Sequence, residues 1–160
     1  MPYLTFLELY KFQIINIIQK ADGINYNEAL GIFNRAAMQF DDWVYLIMKE
    51  MVVKTKGGMM ILLNRNPTIN HGSIMLLRIS DVKKAYNDVT ISISNNILAP
   101  LGGDYDGDTL NIIPLMDNKF KRTFALFNPK NMMISNDDFR FNQAMGLDKD
   151  LLLGVSSLLR

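Results

Sequence analysis

The run Gly102-Gly103-Asp104-Tyr105-Asp106-Gly107-Asp108 is where chemistry concentrates in this sequence. Asp104, Asp106 and Asp108 set three carboxylates at alternate positions, and Gly107 lets the chain fold tightly around them. Exposed carboxylates are ionised at neutral pH. Three such anions held close together repel one another unless a cation neutralises them. A hard divalent ion with oxygen ligands suits the set, and Mg²⁺ is the usual partner where phosphates are handled. An EF-hand does not fit: counting from Asp104, the positions that need Gly and Glu hold Thr109 and Leu115. Two alternatives stay open at this point, a different kind of Ca²⁺ loop and a solvated acidic turn with no metal.

The acids need a frame. Apolar stretches flank them, Ile97–Leu101 before and Leu110–Leu115 after, and both read as strands. Further strands are expected over Met59–Leu63, Ile74–Ile79 and Val89–Ser94, the last alternating apolar and hydroxyl residues. The first fifty or so residues read as helices. Leu4, Leu7, Phe12, Ile15 and Ile18 recur at helical spacing until Asp22-Gly23 interrupts them. Asn25 or Asn27 is placed to cap a second helix through Leu30, Phe33 and Ala37. Asp41 and Asp42 open a third, with Trp43, Leu46, Ile47 and Met51 expected on its inner face. Gly57-Gly58 turns the chain. Asn118–Phe127 reads as a helix ended by Asn128-Pro129, Met132–Ile134 as extended, and 148–159 as an apolar segment that packs against something.

Composition bounds the function. The 160 residues are enough for one domain with a real core, 49% of them hydrophobic and 21% charged. Lys plus Arg number 17 against 16 acids, a net charge of +1. A free-standing nucleic-acid binder is usually more basic, so any such grip must come largely from other segments or partners. Without Cys there is no disulfide and no thiolate zinc site, which fits a reducing cytosol. No apolar run reaches the roughly 20 residues of a membrane span, so no membrane partner is expected. The 11 Met residues are read as adaptable core filler in preference to a Met-lined groove.

A second segment adds to the acids: Asn64-Arg65-Asn66-Pro67-Thr68, followed by His71, the one histidine. The planar guanidinium fork of Arg65 suits a ribose or phosphate at short range. His71 is read as a hydrogen-bonded loop residue rather than a catalyst.

Asn-Arg-x-Pro-Thr followed downstream by Asp-aromatic-Asp-Gly-Asp resembles the largest, β′-like subunit of multisubunit DNA-directed RNA polymerases. The likeness continues along the chain. Asp42-Trp43 through Leu63 resembles the helix and strand before the family's Asn-Arg-x-Pro-Thr loop. Asn131–Asn136 is similar to its Met-Met-Ser-x-Asn segment, and Asp150–Gly154 to its Asp-Val-Val-Leu-Gly segment. Pro2-Tyr3-Leu4 and Leu9–Phe12 add weaker matches near the start. The aspartate loop is the specific motif; the others carry weight by being collinear with it.

The resemblance implies an α+β chain with a partial double-psi β-barrel carrying the metal loop. It assigns a helical insertion to about 5–52, barrel strands to about 53–128 and the start of the next segment to 129–160. It implies a DNA-dependent RNA polymerase centre in which Asp104, Asp106 and Asp108 hold the Mg²⁺ that activates the RNA 3′ hydroxyl, with a second Mg²⁺ arriving on the nucleotide. Arg65 is placed beside the nucleotide sugar and Pro67 in the wall there. The implied partners are a β-like second barrel, a bridge helix and trigger loop, DNA template, RNA product and nucleoside triphosphates. The chain is then expected to be a fragment or a split gene product, inactive alone. Its place is cytoplasmic, in host cytoplasm or virion if phage-encoded.

Two departures bear on sugar choice: Gly102 stands where the family has Asn, and Lys149 where it has Gln. They point towards a divergent or viral member. Two other readings are carried forward: an RNA-dependent RNA polymerase of the double-psi barrel type, whose approach to its acids resembles Gly102-Gly103, and a non-catalytic polymerase assembly module.

Overall fold

A computed structural model describes residues 1–68 and 71–132. The expected segments over 133–134 and 148–159, the matches from 133 onwards, and Lys149 lie outside the described residues.

Four helices fill the N-terminal third: α1 (Tyr3–Leu9), α2 (Lys11–Asp22), α3 (Tyr26–Met38) and α4 (Asp42–Lys54). The first expected helix is two, broken at Tyr10 (φ −115°, ψ 22°). Tyr3, Phe6 and Leu7 are buried on α1, and Ile14, Ile15 and Ile18 on α2. Phe12 is 73% exposed, against expectation. On a helix it projects well to one side of the stripe centred on Ile14, Ile15 and Ile18, so spacing from Ile15 alone was misleading. Asn25 does cap α3, in a capping box: its side chain accepts from the Glu28 N–H at 3.0 Å, and Glu28 accepts from the Asn25 N–H at 3.2 Å. Asp41 caps α4 through the Val44 N–H at 3.0 Å.

The inner face of α4 also needs correcting. It buries Val44, Ile47 and Met48, while Leu46 (59%) and Trp43 (37%) are exposed. Apolar residues surround most of this helix, so the 3.6-residue period does not single out one side.

Three strands follow: β1 (Met60–Arg65), β2 (Ile74–Arg78) and β3 (Leu110–Leu115). They form an open antiparallel sheet in the order β2-β1-β3. The class is α+β, as expected. Among the described residues the sheet has these three strands and does not close into a barrel. Two expected strands are absent. Val89–Ser94 joins no sheet. Asp88 takes the Thr90 N–H at 2.8 Å, and Lys83 bonds both Asp88 and Thr90, so side chains supply partners that a ladder would have supplied. Ile97–Leu101 is a one-turn 3₁₀ segment (Asn95–Ile97) running into a short helix, α5 (Leu98–Leu101). Asn118–Phe127 divides into α6 (Asn118–Thr123) and a 3₁₀ turn, Phe124–Phe127. Pro129 starts another short helix, α7 (Pro129–Met132), so Met132 is helical rather than extended.

The chain forms two compact units. One contains 1–61, 78–92 and 113–116; the other contains described residues of 62–77 and 93–112, and those from 117 onwards. The first has a core of helix faces with Met59, Ile61, Ile79 and Val82. The second buries Leu62, Leu63, Met75, Leu76 and Leu101.

Candidate metal centre

The acid loop runs from the end of α5 to the start of β3. Gly102 closes α5 in the left-handed region (φ 65°), where its N–H bonds to Ala99 O at 2.9 Å. Pro100 and Leu101 are buried and anchor that side. Gly107 turns the loop at φ 106°, a conformation that costs glycine little and other residues much. The frame on the upstream side is therefore helical, not the strand expected, while β3 fills its expected span.

Within the loop the three acids converge. One carboxylate oxygen from each of Asp104, Asp106 and Asp108 lies within 4.8 Å of the others. Asp104 and Asp106 are exposed; Asp108 is half-buried. The Asp106 N–H donates to Asp104 Oδ1 at 3.2 Å, and the Asp104 N–H to Asp108 Oδ2 at 3.0 Å, so the loop's backbone already orients two of the carboxylates. An all-oxygen donor set of this kind suits a hard divalent cation and could hold one.

Arg65 ends β1, the strand next to β3 in the sheet, and reaches this loop. Its Nε donates to Asp108 Oδ2 at 2.8 Å and its Nη2 to Asp108 Oδ1 at 2.9 Å, a two-point fork. The side chains of this pair are about a fifth exposed, 20% and 22%.

The charges set unequal proton affinities. Hydrogen bonding with Asp104, then the like charge of that neighbour, hold the Asp106 carboxyl above the usual carboxylate range. The Arg65 guanidinium, followed by the Asp104 N–H, holds Asp108 below it. Asp108 in turn raises the Arg65 pKa further. One acid of the three is thus already neutralised from within the chain, and another resists ionising beside its neighbour.

The Asn64–Thr68 loop is stitched by its own side chains: Thr68 donates to Asn64 Oδ1 and Asn64 to Asn66 Oδ1, each at 3.0 Å. Pro67 follows a cis peptide bond and is exposed, outside the Arg65–Asp108 pairing. His71 begins the 3₁₀ turn His71–Ser73. Asn95 was not anticipated: it accepts a hydrogen bond from the hydroxyl of Tyr105, the aromatic residue between the first two acids. Nothing in its local sequence marks it, because its partner is ten residues away.

No family model matches the chain, and no curated protein matches its sequence. Among the described residues no helix is long and apolar enough to cross a membrane.

Proposed function

We propose that this chain supplies part of the catalytic centre of a DNA-dependent RNA polymerase, in which Asp104, Asp106 and Asp108 hold Mg²⁺ for nucleotidyl transfer. The observation that carries the reading is the convergence of the three carboxylates within 4.8 Å on one loop, with the arginine of Asn64–Thr68 fastened to the third of them. The two segments that resemble the polymerase family are distant in sequence and adjacent in the fold. The finer architecture in this reading is a partial double-psi barrel completed by other segments or chains, among them a β-like second barrel, a bridge helix and a trigger loop.

Asp104, Asp106 and Asp108 would hold the Mg²⁺, which would supply positive charge to acidify the RNA 3′ hydroxyl and offset charge on the transferred phosphate. The chain's own residues do the rest. Asp104 and Asp106 present carboxylates to solvent, where a polymer end can approach. Asp108, held by Arg65 before an ion arrives and also by the Asp104 N–H, forms the inner edge of the donor set. Arg65 lies close enough to the acids to meet a nucleotide delivered there. Two-metal displacement needs positioned oxygens and no side-chain nucleophile, which agrees with a chain lacking Cys.

Ribonucleotide incorporation by the intact assembly tests this. Replacing all three aspartates with alanine is expected to abolish RNA synthesis on a DNA template; undiminished synthesis would remove the proposal. Synthesis that requires an RNA template would transfer the same chemistry to an RNA-dependent enzyme.

A further inference from the structure

Asp108 has little left to offer a metal. A carboxylate has about four lone-pair positions. Arg65 Nη2 takes one on Oδ1; Arg65 Nε and the Asp104 N–H take two on Oδ2. An ion drawing on Asp108 can use the one remaining position on Oδ1, beside a guanidinium, or it can displace the fork. Both routes set a divalent cation against a positive charge at short range. A Cβ added at Gly102 would meet Arg65 Nη1 at 3.7 Å, an ordinary contact. A larger side chain there would share the space the guanidinium uses.

We infer that Arg65 is an internal counter-cation for Asp108 that competes with the divalent ion, so that metal binding releases the guanidinium for an anionic second ligand, the phosphate of a nucleotide. This rests on the reading that the acids hold a cation, and it adds an order of events. The metal takes Asp108, the five N–H donors of Arg65 become available, and the nucleotide finds a fork that was previously engaged. By reciprocity, a triphosphate that engages Arg65 strengthens metal binding at Asp108.

Electron paramagnetic resonance titration of the chain with Mn²⁺ tests the competition. Arg65→Gln is expected to bind Mn²⁺ roughly three- to tenfold more tightly than the wild type, since a nearby positive charge has gone. Arg65→Lys, which keeps the charge without the fork, is expected to fall between them. On the wild-type chain, the Arg65 Nε–H resonance is expected to move towards that of a solvent-exposed arginine as Mg²⁺ is added, a readout that needs no variant to fold. Wild-type binding with equal or weaker affinity in Arg65→Gln, or an Nε–H signal unmoved at Mg²⁺ saturation, would overturn the competition and leave the metal site standing. Failure of both wild type and Arg65→Gln to bind Mn²⁺ would overturn the metal site itself, and the competition with it. Binding by Arg65→Gln alone would support competition in its strongest form.

Discussion

The helical region over Tyr3–Lys54 and the loop over Gly102–Asp108 are held by opposite means. The first is built by removing apolar surface from water: Tyr3, Phe6, Ile14, Ile18, Val44 and Met48 are all at or near zero exposure. The second contains three acids drawn together on an exposed loop. Its local order comes from Leu101, two glycines in the left-handed region, backbone N–H groups and one arginine. A region built by burial loses stability when altered. A region built by charge should lose ligand affinity first, because its acids repel one another and contribute little to folding on their own.

The largest expected effect probes the first half of that contrast. Ile14→Ala should lower unfolding stability by about 2–5 kcal/mol in chemical denaturation, the range for emptying a well-packed aliphatic site. A loss near zero would mean that α2 is not part of the core. Asp106→Asn probes the second half. Mn²⁺ affinity should fall tenfold or more, while the melting temperature stays level or rises as the repulsion with Asp104 is relieved. A cooperative drop in melting temperature would erase the distinction between the two regions. Asn25→Ala, which breaks the capping box, should cost about 1 kcal/mol. Smallest is Phe12→Ala, within about 0.5 kcal/mol for a side chain turned to solvent.

Acidity sharpens the comparison inside the acid loop. The Asp108 carboxyl is depressed in the folded chain, so its pairing with Arg65 contributes stability above the unfolded value of about 3.9 and loses it only as pH falls through the lower folded value. Asp106 works in reverse. Its folded value is raised, so stability declines as pH climbs from the unfolded value through the folded one. Protons should therefore displace a bound cation from Asp106 first, and Mn²⁺ affinity should begin to fall at a pH above the ordinary carboxylate range. A pH titration of Mn²⁺ binding that stays flat until well below that range would contradict this.

Local chemistry was legible in the sequence where one short-range rule dominated. Of the two caps offered, Asn25 starts α3, Asp41 of the Asp41-Asp42 pair caps α4, and the apolar run Leu110–Leu115 is β3 over its whole span. The same held for the acid loop, whose residues are contiguous and whose turn depends on Gly107. Reading failed where two signals competed. Val89–Ser94 has the alternation of a strand, but Asp88 and Lys83 satisfy Thr90 instead. The apolar residues on α4 left its buried side undetermined by period. Nor could spacing show that Arg65 would seat on Asp108, 43 residues away, since that pairing depends on β1 and β3 being neighbours.

Joint coordination of a divalent cation by Asp104, Asp106 and Asp108 is the proposal on which the chemistry rests. Crystals soaked in Mn²⁺ and measured for anomalous scattering test it most directly. A single anomalous peak in contact with oxygens of all three aspartates is expected, and it should vanish in the triple alanine variant. Well-ordered aspartates with no anomalous peak among them would contradict it.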